Sequence, residues 1–423
     1  MEATLQGIFM ERFAAHARDR KLPLRVHRAA QAIMQCRTPA MGGHEQGCPE
    51  GHHTRIQYHS CKHRSCPRCA SLAKAHWVEG QQARLLACDH YHVVFTLPHE
   101  LLTLWSWNRA WFADTLFQAV RETLMTLLQD ARHVGALPGL VMALHTWGRT
   151  LNPHPHIHCL VTGGGLNGAG QWRAVQGGYL LPVRVVKALY KGKLLARLWD
   201  ALQAGTLKIP VGVRRTEVER WFKSVGKKDW NVRLQERYAH GRGVMVYLSR
   251  YVKGGPISDR RIVQADEAQT RFRYKDHRDG KTKVMAVSSA HFMDRVLWHV
   301  PEPGQHSIRH YGLYAHQARP KRALCRLQLG QAPEQDRIAA PDWAAFMAQF
   351  GPAQVACCPK CGQRLVRGRS IAKRRNQISI NRKHGGGIVQ QDARPDAPTQ
   401  LSRAGPQVPR DTSFFLRGRA PVS

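Results

Sequence analysis

Leu140-Val141-Met142-Ala143-Leu144-His145-Thr146-Trp147 and, after a turn at Asn152-Pro153, His156-Ile157-His158-Cys159-Leu160-Val161 read as two antiparallel strands of one hairpin. Side chains alternate across a strand, so His156 and His158 share one face while Ile157 points into the core behind them. Two imidazoles that close form half of a divalent-metal site. His145 stands eleven residues before His156, and the hairpin brings it beside the pair. It is the favoured third ligand, with His92 on an earlier strand and a distant carboxylate or Gln as rivals. His154 has the same parity, but its neighbours Pro153 and Pro155 assign it to the turn. The chain holds 24 histidines, so three on a solvent-facing strand is the plain alternative for this cluster taken alone.

Outward from the hairpin, residues 91–97 (YHVVFTL) have strand composition and end at Pro98. Residues 2–35 read as helical, with Phe9, Phe13 and Ala17 on one face, and residues 101–132 read as a long helix. Gly163 to Gly168 reads as a flexible loop without a Walker pattern. A helix is expected over 183–202, a short strand over 230–234, and a helix over 244–252 that breaks at Gly254-Gly255-Pro256. In that last helix Tyr247 and Tyr251 lie four residues apart, one above the other, so both rings could address one centre. A phenol with an ordinary pKa of about 10 needs help to act as a nucleophile, from a base, a metal, or cations such as Arg250 and Lys253. The plain alternative is two core-facing rings, because Val244, Leu248 and Val252 make the segment amphipathic anyway.

Charge narrows the class of partner. The chain of 423 residues carries 64 Lys and Arg against 29 Asp and Glu, a formal net charge of +35. Residues 364–423 account for +10 of this and the rest of the chain for +25, so the folded body itself presents basic surface. That balance points to a polyanion, nucleic acid above all. A hydrophobic fraction of 43% excludes a wholly disordered chain. No apolar run approaches the roughly 20 residues that span a membrane, and no leader pattern opens the chain, so a cytoplasmic, nucleoid-associated location is expected. Eleven cysteines in a reducing compartment argue for metal ligation or core thiols.

Cys66-Pro67-Arg68-Cys69 has the spacing of a zinc knuckle. Cys48 and His52 lie upstream, and one zinc on Cys48, His52, Cys66 and Cys69 is the simplest assignment. Cys61, Cys36, His44 and His63 remain for a second ion or another set. Such a zinc is structural, stabilising a module with little core of its own. Arg64 and Arg68, interleaved with Lys62 and His63, mark that module as DNA-contacting. Cys357-Cys358-Pro359-Lys360-Cys361 is a second knuckle without an obvious second pair, while Cys88 and Cys159 read as core thiols. From about Arg364 the chain turns Arg-, Gly- and Pro-rich, and disorder is expected there.

Several of these stretches together carry a resemblance. They are Cys36-Arg37-Thr38 with Gly42-Gly43-His44, SCKHRSCPRC (60–69), HVVFTLPHEL (92–101), LHTWG (144–148), HPHIHCLVTGGGL (154–166), YLSRYV (247–252) and RHYGLYA (309–315). In order and spacing, over roughly residues 30 to 320, they resemble the rolling-circle transposases of the insertion-sequence-91 family, within the HUH (His-hydrophobic-His) single-strand endonucleases. The resemblance implies an α+β fold, with a central antiparallel sheet flanked by helices and a small zinc-binding module in front. It implies His156 and His158 as the HUH pair on a Mg2+ or Mn2+ ion, Tyr247 and Tyr251 as nucleophiles, structural Zn2+, and single-stranded DNA as substrate. Family zinc regions often carry a second cysteine where this chain has Gly51, and His52 stands beside it as the substitute. The division expected is 1–35 helical, 36–80 zinc module, 85–265 catalytic domain, 266–350 its C-terminal part, and 351–423 knuckle and basic tail. A replication initiator or relaxase with the same chemistry, and a non-catalytic zinc-dependent DNA-binding protein, are the alternatives.

Overall fold

The computed structural model describes residues 3–18, 20–69, 71–238, 242–249, 255–334 and 357–374, without the side chains of residues 235, 236, 242, 244 and 247. In chain order the elements are α1 (Leu5–Arg18), α2 (Leu24–Gln35), β1 (Gly43–Gly47), β2 (Thr54–Tyr58), α3 (Ser71–Gln82), β3 (His90–Thr96), α4 (Leu102–Trp107), α5 (Arg109–Gln129), β4 (Leu137–Trp147), β5 (Pro153–Leu166) and β6 (Trp172–Ala174). They continue as α6 (Val183–Gln203), α7 (Arg215–Lys227), β7 (Val232–Tyr238), α8 (Arg242–Ser249), β8 (Ile262–Ala265), β9 (Gln269–Lys275), β10 (Thr282–Ser288), α9 (Ser289–Leu297), β11 (Ile308–Gly312), α10 (Arg319–Gln328) and β12 (Val366–Ile371).

The central sheet runs β11-β4-β5-β3-β7, with β6 added to β5, and all its neighbours are antiparallel. Helices flank it, so the architecture is the α+β one expected. Alternation divides its two faces. Leu140, Met142 and Leu144 of β4 and Ile157, Cys159 and Val161 of β5 point to one side. There they join Phe112, Leu116, Phe117, Val120 and Leu124 of α5 and Tyr190, Leu194 and Leu198 of α6 in one buried cluster. The spacing of three and four along α5 is what turns those side chains toward the sheet. Each fully buried phenylalanine there contributes about 1.5–3 kcal/mol. On the other face, Val141, Ala143 and Leu160 pack with Leu85, Leu86, Tyr314, and Met245 and Leu248 of α8.

Two smaller sheets complete the described strands. In β10-β9-β8, Phe272 packs with α9 and with both N-terminal helices. In β12-β1-β2, the third strand comes from the far end of the chain. The central sheet likewise draws its edge strand β11 from the stretch 266–350. No helix among the described residues is long and apolar enough to cross a membrane.

Four details depart from the sequence reading. The N-terminal helical stretch is two helices, because Pro23 lacks the donor that would continue the first and instead opens the second. The long helix over 101–132 is interrupted at Asn108, whose side chain donates to the Leu104 carbonyl at 3.0 Å and to the Lys208 carbonyl at 2.8 Å and accepts from the Lys208 amide at 2.8 Å. The glycine run from Gly163 is strand through Leu166, not loop. A Cβ at Gly164 would lie 2.5 Å from the Arg173 carbonyl oxygen, and one at Gly165 would lie 2.5 Å from that of Leu137. Glycine is needed there because neighbouring backbone comes too close for a side chain. Finally, the expected disorder from Arg364 gives way to β12, which pairs with β1 from Gly43↔Ile371 to Gly47↔Val366. Backbone pairing and a Glu45–Arg369 ion pair of 2.7 Å order a segment whose side chains are mostly exposed. The tail beyond residue 374 lies outside the described residues.

Gly164→Ala should therefore cost about 1–3 kcal/mol, the range for overpacking. Gly168→Ala, where a Cβ meets nothing within 4 Å, should cost less than 1 kcal/mol by the same comparison. Urea unfolding of the two variants beside the parent protein measures this, and equal stabilities would restore the loop reading.

Candidate active site and metal centres

The register of the central hairpin assembles the histidines. His145 sits directly opposite His156, and Ala143 opposite His158, so all three imidazoles emerge on the face that α8 covers. Their donor atoms lie within 4.8 Å of one another and all three residues are buried. Ring centroids are 4.0 Å apart for His145–His158, 4.8 Å for His156–His158 and 4.9 Å for His145–His156. Trp147 stacks beside His145, nearly parallel at 6.1 Å. His154 is part of β5 rather than of a turn. It is exposed, and its ring lies 4.8 Å from that of His156.

Hydrogen bonds orient two of the rings. His156 Nδ1 donates to the His154 carbonyl at 2.5 Å, which leaves Nε2 to carry the lone pair. His158 Nδ1 shares a hydrogen bond of 2.8 Å with His92 Nε2. His92, weighed as a rival ligand, thus stands behind His158 and steadies its ring. Burial, reinforced by the neighbouring histidines, pushes all three protonation equilibria down. His156 falls to about 3, and His145 and His158 fall well below their ordinary value. The imidazoles are therefore neutral near pH 7, the form that binds metal. Three convergent neutral imidazoles fit a divalent cation. A cavity of about 830 Å3 flanks β11, lined by Arg84, Arg121, Arg309 and Tyr311 among others, and contains none of the three. Donor chemistry, not concavity, singles this centre out.

Helix α8 lies over the same face. Met245 and Leu248, three residues apart and fully buried, pack against Val141, Ala143 and Leu160. The backbone of Tyr247 belongs to this helix. Tyr251, Arg250 and Lys253 lie outside the described residues. The motif Arg309–Ala315 supplies β11 and then Tyr314, whose buried hydroxyl meets His90 Nε2 at 2.6 Å and accepts from the Leu86 amide at 3.2 Å.

The candidate zinc cysteines fall into two groups, not the single mixed set of the sequence reading. Cys66 and Cys69 converge with Cys36 and Cys61, whereas Cys48 and His52 converge with Cys358 and Cys361. In the first group Cys69 Sγ lies 3.2 Å from that of Cys36 and 3.3 Å from that of Cys61. Four convergent sulfurs match a closed structural zinc site. Gln6 braces it, donating to the Met34 and Cys36 carbonyls, each at 2.8 Å, while accepting from Arg68. Arg64 is half-buried and donates to the Gln305 carbonyl at 2.9 Å. Both arginines expected at DNA thus also hold the module to its surroundings. The partners of Cys48 were beyond local spacing, although the Cys358–Cys361 knuckle was visible in the sequence.

Comparison with known proteins agrees with this arrangement. Residues 8–97 match a family model described as "Transposase zinc-binding domain", and residues 139–322 match one described as "Putative transposase". The chain is 38% identical over 359 residues to "Putative transposase y4qJ" of Sinorhizobium fredii, covering 83% of this chain and 90% of that protein. It is 30% identical over 345 residues to "Transposase for insertion sequence element IS801" of Pseudomonas savastanoi pv. phaseolicola, covering 79% and 81%.

If His92 acts by steadying His158, His92→Ala should weaken Mn2+ binding by about 10–100-fold, the usual effect of losing such a partner. His145→Ala should weaken it further. Titration of free Mn2+ by electron paramagnetic resonance measures both, and unchanged affinity in His145→Ala would remove it from the ligand set.

Proposed function

Because this chain belongs to the insertion-sequence-91 family of transposases, we propose that it nicks and joins single-stranded DNA through a 5′-phosphotyrosine intermediate and so moves its element by rolling-circle-type transposition. One observation carries the reading. The helix that bears Tyr247, and leads directly to Tyr251, is docked by Met245 and Leu248 on the sheet face from which His145, His156 and His158 emerge. The backbone at Tyr247 and the three histidines thereby lie on one side of the sheet, while the opposite side is given over to the core.

In the proposed reaction a tyrosine hydroxyl attacks the phosphorus of a phosphodiester. The new bond joins the phenol oxygen to phosphorus, the bond to the 3′ oxygen breaks, and the phenol proton ends on the freed 3′ hydroxyl. The protein retains the 5′ phosphate, so the bond energy is conserved and rejoining by a 3′ hydroxyl needs no ATP. The second tyrosine cleaves the other end or the target. Arg250 and Lys253 lie beside Tyr251 in sequence, cations of the kind that would favour its phenolate. His145, His156 and His158 would hold a divalent ion, which would supply Lewis-acid polarisation of a phosphate oxygen. An all-imidazole donor set suits Mn2+ better than Mg2+, a harder ion that prefers oxygen ligands. The net charge of +35 provides the backbone attraction that draws single strands to this surface. A replication initiator would share the chemistry, but the family assignment favours transposition.

The test uses the full chain, Mn2+ and single-stranded oligonucleotides carrying the element's ends, labelled on the 3′ side of the scissile bond. Label should migrate with the denatured protein, and Tyr247→Phe combined with Tyr251→Phe should abolish it. His156→Ala should bind the strand normally but cleave about 10²–10³-fold more slowly, the range for losing one transition-state stabiliser. Equal labelling by the double phenylalanine variant would overturn the catalytic reading.

A further inference from the structure

The second cysteine group joins parts of the chain that local sequence gives no reason to connect. Cys48 Sγ lies 3.4 Å from Cys361 Sγ, across 313 positions, and 3.8 Å from His52 Nδ1. Together with Cys358, these donors all lie within 4.8 Å of one another. We propose that Cys48, His52, Cys358 and Cys361 bind a second structural zinc ion, which clasps the C-terminal knuckle to the N-terminal zinc module.

Each half is a preformed knuckle. In the first, the Gly51 amide donates to the Cys48 carbonyl at 2.9 Å, and the Cys48 amide to that of His53 at 2.8 Å. In the second, the Gly362 amide donates to the Cys358 carbonyl at 2.9 Å, and the Cys358 amide to that of Gln363 at 2.7 Å. Both turns place a glycine at positive φ, 73° for Gly51 and 75° for Gly362, where a side chain would be strained. Gly51 is thus the residue the turn requires, and His52 beyond it supplies the nitrogen that completes three sulfurs and one imidazole. That donor set suits a closed tetrahedral zinc. A disulfide does not account for it, because sulfurs bonded to each other lie about 2.05 Å apart and because His52 converges on the same point.

The surroundings show why an ion is needed. Among the described residues, Leu365 alone joins Cys48 and Cys358 in the buried apolar cluster at this junction, too little apolar surface to hold the segment. The knuckle leads into β12, which completes the β12-β1-β2 sheet and brings Arg367 and Arg369 against β1. The clasp therefore builds a basic third strand onto the N-terminal module from the far end of the chain. Closing so long a loop also removes more unfolded-state freedom than a local knuckle would.

Full-length protein is purified under reducing conditions, and zinc released by a mercurial thiol reagent is counted with a chromogenic chelator. Metal on the three-histidine centre does not respond to that reagent. The parent protein should release two zinc ions per chain, and Cys358→Ser combined with Cys361→Ser should release one. His52→Cys, which restores a ligand of the right kind, should release two. Release of two ions by the double serine variant would overturn the clasp. Should that variant unfold and lose both, His52→Ala decides, since His52 is exposed and its loss leaves packing intact. It should lower the affinity of one ion at least tenfold, and unchanged affinity for both would overturn the proposal.

Discussion

The pairing of β4 with β5 in one particular register is the constraint on which everything else rests. With His145 opposite His156 and Ala143 opposite His158, three imidazoles share a face, and Leu144, Ile157 and Cys159 go to the core opposite. A slip of one residue would exchange the faces, burying imidazoles among α5 and α6 and turning Ile157 to the side the three histidines now occupy. The glycine run at the end of β5 guards against that slip. Gly163, Gly164 and Gly165 each accept neighbouring backbone or ring atoms at distances no side chain would allow, so only one alignment seats all three.

Burial then does two things to the histidines. It pushes their protonation down, so the rings are neutral in a protein otherwise crowded with positive charge. It also fixes ring orientation, through the His154 carbonyl for His156 and through His92 for His158. The same face accepts α8 through Met245 and Leu248, so the element bearing Tyr247 is positioned by packing. The cysteine groups work differently. Cys36 and Cys66 belong to the apolar cluster of α1, α2 and α9, whereas Cys48 and Cys358 share theirs with Leu365 among the described residues, so there the proposed coordination substitutes for a core.

What could be read from the sequence follows the range of the forces involved. The hairpin was legible because period-two alternation is local, and α6 emerged within one residue of its expected span because helical spacing is local too. His145 could be brought beside the HUH pair from turn position alone. The break at Asn108 was not legible, since it depends on the backbone of Lys208, one hundred positions away. Glycine carries no side chain to reveal alternation, so the strand through Gly165 passed for a loop. Cysteine spacing identified both knuckles but not their partners: coordination joins Cys48 to Cys361 across the length of the chain, and nothing in either motif encodes the other.

Identifying the amino acid that bonds to DNA tests this account most directly. After reaction with a single-stranded oligonucleotide and Mn2+, the protein is digested and the nucleotide-bearing peptide sequenced by mass spectrometry. The account requires a 5′-phosphate ester on Tyr247 or Tyr251, formed about 10²–10³-fold more slowly when His156 is replaced by alanine. An adduct on any other residue, or a phosphate left on the 3′ side, would contradict it.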